Sequence, residues 1–243
     1  FACAELIQPR VQPGVELVVD IAPDAPTQVQ ADALRVRQIA LNLLGNAAKF
    51  TSAGHIRLAL AGRRTGAHAA VEVTVSDTGI GIAPADQERL FRPFVQAEVG
   101  TARRYGGTGL GLAISRTLAQ RMEGDIRLVS QPGVGSTFTV ALRLPLVPDA
   151  PGPAQPLAGQ AVLVVDPLAP AATALAAQMT AAGAQAVGAP DAAAALLAVA
   201  AASPPFAAVI AAIDLPGLDG AGLAAALAAA APPRPAVILA QRA

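Results

Sequence analysis

The sequence predicts an α/β protein built from two domains and a linker, and three observations indicate this. Short apolar strands alternate with amphipathic or Ala-rich helices along the chain. Four prolines stand among small residues between 147 and 156, which is typical of a linker. The 243 residues are 53% hydrophobic, which is enough for two ordinary domain cores.

Charge and cysteine content exclude several classes of function. Seventeen basic and seventeen acidic residues cancel, so no global field favours nucleic acid or an anionic membrane. Cys3 is the single cysteine, so no intrachain disulfide forms and a reducing, cytoplasmic setting is expected. We expect no membrane span, because no run of about 18 apolar residues lacks interruptions. The start at Phe1 lacks an initiator Met and a basic region, which indicates a piece of a longer protein.

The helices and strands of the first domain are predicted from hydrophobic periodicity, helix-capping residues and the Gly and Pro residues that end such elements. Asp32 is predicted to be a helix N-cap, because it directly precedes an apolar-periodic run. The predicted order is a strand at 15–21, a helix from Asp32 to about Lys49, strands at 55–60 and 70–76 joined by a polar loop at 63–66, a helix at about 110–122 and a hairpin of 126–129 with 136–144.

A polar stripe marks the first long helix. Asn42, Asn46 and Lys49 fall within a sector of about 60° on a helical wheel, beside an apolar face. A solvated face is the alternative, but such a face usually carries Glu and Lys rather than two poor helix formers. The stripe therefore predicts a binding role.

Asp77 ends the second strand of the predicted pair. It shares the parity of the alternating valines, so its carboxylate is directed toward the buried face and needs a donor partner. Gly79 and Gly81 follow and let backbone approach a ligand closely. An Asx-type turn would explain the first glycine but not the second.

Gly106–Leu112 is a glycine-rich loop that leads into a helix. Free N–H groups at a helix N-terminus make an anion site. The preceding polar segment 100–105 suits a mobile lid. The loop is neither a P-loop nor a dinucleotide fingerprint, because no Gly-Lys-Ser/Thr follows and Leu112 occupies the third glycine position. A role in packing alone is the alternative.

Five ordered motifs carry a family resemblance. Asn42-x3-Asn46-x2-Lys49-Phe50, Asp77-x-Gly79-x-Gly81, Phe91-x-x-Phe94, Gly107-x-Gly109-x-Gly111 and Gly133-x-Gly135-Ser-Thr137 resemble the boxes of the catalytic ATP-binding domain of sensor histidine kinases. The resemblance covers residues 1–147. It implies a two-layer α/β sandwich of the Bergerat type, in which helices pack on one face of a mixed sheet.

The resemblance also implies ATP and Mg²⁺ as ligands, with a role for each matching residue. Asn46 would ligate Mg²⁺ with Asn42 assisting, and Lys49 would contact phosphate. Asp77 would accept from the adenine amino group, supported by Thr137 and Gly81. The remaining implied contacts are Phe50 facing the base, Gly79 and Ile82 beside it, and a lid and loop of Arg103, Arg104, Tyr105, Gly107, Thr108, Gly109, Leu110, Gly111 and Leu112 around the triphosphate.

Phosphoryl transfer is favoured over hydrolysis. ATPases of the same fold carry a Glu one helical turn before the metal Asn, and here that position is Asn42, which cannot act as a base. A histidine kinase needs an acceptor His on a dimerisation helix. His55 and His68 precede no acid on a helix, so the acceptor is expected upstream of Phe1.

Residues 160–243 are predicted to form a doubly wound parallel sheet of the flavodoxin type, because apolar strands alternate with helices. The predicted strands are 161–165, 185–188, 207–211 and 236–240, and the helices are 170–182, 191–202 and 220–230. The strand acid Asp166 and the segment 215–220 resemble a response-regulator receiver domain, after the linker 148–159. The family pattern implies that this domain is incomplete at its C-terminus.

The receiver chemistry is expected to be broken. Ala212 stands at the position of the phosphoacceptor Asp, Pro167 at that of the second metal-binding acid and Gln241 at that of the switch Ser/Thr. The domain therefore lacks the acid pair that would hold Mg²⁺ and the carboxylate that would act as nucleophile. Asp214 could serve only if the strand register slipped by two residues. We interpret this half as a truncated pseudo-receiver that docks or regulates.

The resemblance therefore implies the catalytic portion of a hybrid sensor histidine kinase. Its implied partners are its own dimerisation helices and a downstream receiver or phosphotransfer protein, within a homodimer and without nucleic acid. Whether the full-length protein is anchored in the inner membrane stays open. The alternatives are a non-catalytic nucleotide-gated interaction module and a protein serine kinase of the same fold.

Overall fold

The structure, a computed structural model, describes residues 1–95, 109–148, 155–230 and 232–240. The chain divides into two compact units, Phe1–Val19 with Asp24–Ala150 and Asp20–Pro23 with Pro151–Ala243. Several sequence predictions lie outside the described residues. They concern the lid and loop residues Arg103, Arg104, Tyr105, Gly107 and Thr108, the switch position Gln241 and residues 149–154 of the predicted linker.

The described elements of the first unit match the predicted order and add two short α-helices and two 3₁₀ helices, Gln8–Arg10 and Arg89–Phe91. The helices are α1 Ala2–Ile7, α2 Ala33–Phe50, α3 Pro84–Gln87 and α4 Gly111–Arg121. The strands are β1 Val15–Ile21, β2 Gly54–Thr65, β3 His68–Asp77, β4 Asp125–Gln131 and β5 Gly135–Pro145.

The predicted polar loop at 63–66 is wrong. The β2–β3 ladder continues to the pair Thr65 and His68, so only Gly66 and Ala67 turn the chain. Backbone pairing needs no buried side chains, and the strands therefore extend beyond the apolar core into a polar, exposed end.

The described strands of the first unit form a five-stranded sheet in the order β1-β2-β3-β5-β4. The pairs β2–β3, β3–β5 and β4–β5 are antiparallel. Apolar residues of α2, among them Leu43 and Leu44, share one core with alternate residues of β3 and β5. This arrangement is the two-layer α/β sandwich, and it places the start of β5 beside the end of β3.

The described strands of the second unit form a parallel sheet, as predicted. The elements are β6 Ala161–Val165, α5 Ala169–Ala181, β7 Gln185–Ala189, α6 Ala192–Ala201, β8 Ala208–Ala212, α7 Gly220–Ala229 and β9 Ala236–Ala240. The strand order is β7-β6-β8-β9, with every described pair parallel. In neither unit does any described helix have the length and apolarity needed to cross a membrane.

Candidate functional site

Asp77 lies at the last position of β3, where the backbone turns away from the sheet. The Gly79 N–H donates to its Oδ1 at 2.9 Å, and the Ser136 backbone N–H also hydrogen-bonds to its carboxyl group. Burial raises the pKa of Asp77 above its ordinary value of 3.8, and the two backbone bonds offset part of that rise. An ionised carboxylate has about four acceptor sites, so Asp77 retains capacity for a ligand donor.

The neighbour of Asp77 on its own face of the sheet is Ser136. The β3–β5 register pairs Asp77 with Ser136 and Ser76 with Thr137, and directly paired residues point to the same side. The predicted support of Asp77 by Thr137 does not match this geometry. The reason is the two-residue period of a strand, which places Thr137 on the opposite face while Ser136 is 7% exposed on the core face.

The turn after Asp77 packs tightly against the protein itself. A Cβ on residue 79 would overlap the Phe50 carbonyl oxygen, and the Ile80 N–H donates to that oxygen at 3.3 Å. Gly81 has a φ of +67°, and a Cβ there would overlap the Gln131 carbonyl. These glycines join the end of α2 to the β4–β5 turn around Asp77.

Asn46 is available for a ligand, whereas Asn42 is engaged within the protein. The apolar face of α2 is buried as predicted, and the polar stripe is half-buried beside it. Asn46 makes no side-chain hydrogen bond with another described residue. Asn42 Nδ2 donates to the Ser115 hydroxyl at 2.9 Å. Lys49 Nζ lies 4.8 Å from the centre of the Phe50 ring, at the end of α2 that meets the Asp77 turn.

The N-terminus of α4 is not capped by a side chain of its N-cap residue Leu110. Gly109 precedes it with a φ of +67°, and its carbonyl accepts from the Phe94 N–H at 3.1 Å. Uncapped N–H groups in a first helical turn favour anions. Leu110, Gly111 and Leu112 form the start of this helix, and the anion site expected there from the glycine-rich loop stays a prediction.

Several residues of this region were missed from the sequence. Ser115 is 2% exposed on the buried face of α4. The sequence feature that could have identified it is its position four residues before the buried Ala119, which puts its hydroxyl on the same helix face. Ser130 Oγ accepts from the Ile82 N–H at 2.8 Å, and Gln87 donates to the Ile82 carbonyl at 3.0 Å. Nothing in the sequence pattern separated Gln87 from other exposed-helix polar residues.

Arg116 connects three segments of the first unit. It makes two hydrogen bonds to Asp125 at 2.9 and 3.1 Å, and its guanidinium carbon lies 5.1 Å from the centre of the Phe91 ring. The pair lowers the pKa of Asp125 from its ordinary value. The motif Phe91-x-x-Phe94 is thereby attached to α4 and β4.

The donor set fits a purine nucleotide with a hard cation. Asp77 offers a carboxylate anchored by backbone N–H groups, and Asn46 offers an amide oxygen of the type that Mg²⁺ accepts. Thr51 Oγ1, at the end of α2, is a buried hydroxyl without a hydrogen-bond partner among the described residues. Such an orphaned group is consistent with a bound water or ligand beside it.

The second unit positions its acids as the register predicts. Ala212 is the last residue of β8, opposite Ala240, and Asp214 lies two residues beyond the strand. Asp166 follows β6, and its Oδ1 accepts from the Leu168 N–H at 2.8 Å.

In the first unit His55 lies in β2 and His68 in β3, so neither is on a helix.

Comparison with known proteins agrees with this geometry. Residues 31–147 match the model of the family described as histidine kinase-, DNA gyrase B-, and HSP90-like ATPase. Signal transduction histidine-protein kinase BarA of Escherichia coli (strain K12) is 45% identical over 163 residues, which cover 65% of this chain and 18% of BarA. Virulence sensor protein BvgS of Bordetella bronchiseptica is 40% identical over 228 residues, which cover 88% of this chain and 18% of BvgS.

A solved structure extends the similarity over both units. The crystal structure of full-length ShkA in complex with AMPPNP has a TM-score of 0.75 and 34% sequence identity, covering 98% of this chain and 46% of ShkA. This chain spans less than half of that protein and 18% of the two curated relatives. The motif order and the two-layer fold agree with the match over residues 31–147, and this segment is a domain of the type described as histidine kinase-, DNA gyrase B-, and HSP90-like ATPase.

Proposed function

We propose that this chain is the ATP-binding catalytic portion of a hybrid sensor histidine kinase. It transfers the γ-phosphoryl group of Mg·ATP to a histidine on a dimerisation domain outside the chain. The observation that carries the proposal is the half-buried Asp77 carboxylate, anchored by the Gly79 N–H and joined through the Phe50 carbonyl to the end of α2. The relatives with matching sequence are named as histidine kinases, and ShkA was solved with AMPPNP.

The base and the phosphates are assigned to different parts of this site. Asp77 accepts from the adenine amino group, with Gly81 and Ser136 beside it and Phe50 facing the ring. Asn46 ligates the metal, Asn42 assists from one helical turn away, and Lys49 contacts phosphate. Bound Mg²⁺ supplies charge neutralisation at the phosphates. The α4 N-terminus and the segment with Arg103, Arg104, Tyr105, Gly107 and Thr108 complete the triphosphate contacts.

Transfer is favoured over hydrolysis by the side chain at position 42. An amide cannot take a proton from water, and its Nδ2 is engaged with Ser115. The chain's own residues therefore contribute positioning and charge neutralisation, which dominate phosphoryl transfer. The phosphoryl group then passes to a receiver or phosphotransfer protein, and the full-length protein acts as a homodimer.

Calorimetric titration of ATP with Mg²⁺ or with EDTA tests the nucleotide site. We expect magnesium-dependent binding by the wild type and its loss in Asn46→Ala. Gln38→Ala is the matched control, because Gln38 is an amide on the same helix and, among the described residues, its side chain hydrogen-bonds to the exposed Arg35 alone. Equal affinities in wild type and Asn46→Ala would contradict the assignment, and no binding in any condition would indicate an interaction scaffold.

The transfer step needs a separate measurement. With radiolabelled ATP, the full-length protein should acquire an acid-labile, base-stable label, as expected of phosphohistidine. A label that survives acid and maps to serine would instead support a protein serine kinase of the same fold.

A further inference from the structure

We propose that Ser115 and Asn42 form a latch that positions the N-terminus of α4 for the phosphates, and that Asn42 acts through this latch rather than as a metal ligand. Both are positioning residues. The inference rests on the proposed nucleotide-binding function and adds a residue, Ser115, that the sequence motifs did not include.

The latch joins the two helices on which the site depends. Asn42 lies one turn before Asn46 on α2, and Ser115 lies one turn after Gly111 on α4. Their side chains meet through the 2.9 Å hydrogen bond from Asn42 Nδ2 to Ser115 Oγ. Ser115 is 2% exposed, so water does not compete for this bond.

Gly111 is the second contact of the latch. A Cβ on residue 111 would overlap the Asn42 side-chain oxygen, so that oxygen lies directly against the first turn of α4. The Asn42 amide thus contacts α4 with both of its polar atoms, one through Ser115 and one against Gly111. An oxygen enclosed in this way is poorly placed to ligate a cation, whereas the Asn46 side chain makes no hydrogen bond with another described residue.

The α4 N-terminus is the part of the site that the latch would control. The Asn42–Ser115 bond and the close contact of Asn42 with Gly111 hold the first turn of α4 against α2. Helix-dipole and N–H interactions with an anion fall off within one turn. A small change in the position of α4 should therefore weaken the phosphate contacts while the adenine contacts at Asp77 stay intact.

Ser115→Ala tests the latch without altering any residue of α2. We expect ATP affinity to fall about tenfold, as for loss of a buried hydrogen bond. Displacement titration should give an unchanged affinity for adenosine, which has no phosphates. Thr117→Ala is the matched control, because Thr117 is on the same helix and its hydroxyl donates to the Ala113 carbonyl of that helix at 3.0 Å, its one hydrogen bond within the described part of the chain.

Two further variants keep the proposal testable. The double variant Asn42→Ala/Ser115→Ala should lose no more ATP affinity than Asn42→Ala alone, because each change breaks the same bond. Gly111→Ala should weaken ATP binding in the wild-type background and be tolerated with Asn42→Ala, which removes the overlapped oxygen. The ratio of ATP affinities with and without Mg²⁺ should stay the same in Ser115→Ala.

The outcomes separate this proposal from the proposed function. Wild-type binding that survives Ser115→Ala unchanged would overturn the latch and leave the kinase assignment intact. Equal losses for ATP and adenosine would show a merely structural role and also overturn it. Loss of the Mg²⁺ dependence in Asn42→Ala but not in Ser115→Ala would restore Asn42 as a metal ligand. No binding by the wild type would contradict both proposals.

Discussion

At the residue scale, the pKa values of two aspartates of the first unit are shifted in opposite directions, because their surroundings differ. Asp77 is held by backbone N–H groups but loses solvent, and burial raises its pKa. Asp125 stays near the surface, and the Arg116 guanidinium lowers its pKa. The two carboxyl groups therefore make opposite contributions to the pH dependence of stability.

Asp77→Asn should flatten the pH dependence of unfolding. The folded protein binds the Asp77 proton more tightly than the unfolded chain does. Its stabilising contribution is therefore fully present below the ordinary value of 3.8 and is lost as pH rises through the raised pKa. Denaturant unfolding of wild type and Asp77→Asn from about pH 2 to 7 measures the difference.

Asp125→Asn is the control for that experiment. Because the pKa of Asp125 is lowered, its stabilising contribution is present above pH 3.8 and is lost as pH falls below that value. The substitution should therefore change the pH dependence of the unfolding free energy in the opposite sense to Asp77→Asn. Two variants with the same sign of change would contradict the burial of Asp77 in the folded domain.

ATP affinity of the wild type should also weaken as pH falls through the raised pKa of Asp77, because the neutral carboxyl is a poorer acceptor.

At the element scale, the starts of the long helices were accurately predicted, because N-caps are local in sequence. Asp32 accepts from the Arg35 N–H at 3.1 Å, and Asp191 and Asp219 cap α6 and α7 in the same way. Sheet order was not predicted, because β5 lies between β3 and β4 and only its pairing with β4 is local in sequence.

Asp32→Ala should destabilise the first unit by about 1 kcal/mol, the usual cost of a lost N-cap. Asp32→Asn is the matched control, since an amide oxygen caps as well as a carboxylate. Thermal unfolding monitored by circular dichroism compares the variants. If Asp32→Asn is as unstable as Asp32→Ala, the charge of Asp32 beside Arg35 is the stabilising feature, not the cap.

At the scale of the whole molecule, the chain combines one unit equipped for nucleotide binding with one that lacks an acceptor acid at the receiver position. Ala212 ends β8 where the family resemblance places a phosphoaspartate, and Pro167 follows Asp166 in place of a second acid. The second unit has a parallel sheet and its own hydrophobic core.

The chain should not take a phosphoryl group from acetyl phosphate with Mg²⁺, and intact mass spectrometry measures this. We expect Ala212→Asp to stay unmodified as well, because Pro167 leaves the metal without a second carboxylate. A phosphorylated wild type with the group on Asp214 would contradict the register of β8 and the pseudo-receiver interpretation.

The sequence by itself determined the order of the main strands and long helices, the apolar face of α2, the Asp32 cap and the positions of the motifs, because these depend on local periodicity and turn chemistry. The parity of the valines correctly directed Asp77 toward the core, since side-chain alternation is a property of the strand alone. Alternation alone does not show that Thr137 points away from Asp77, because that conclusion also needs the register of β5 against β3, which pairs Asp77 with Ser136.

Only the tertiary structure decided which residues meet across elements. Asn42 and Ser115 are 73 residues apart, and their contact depends on how α4 packs against α2. The same holds for Gly79 against the Phe50 carbonyl and for Ser136 beside Asp77. Such contacts arise from long-range packing and strand register, which no local pattern encodes, so the motifs identified the site while the fold assigned its neighbours.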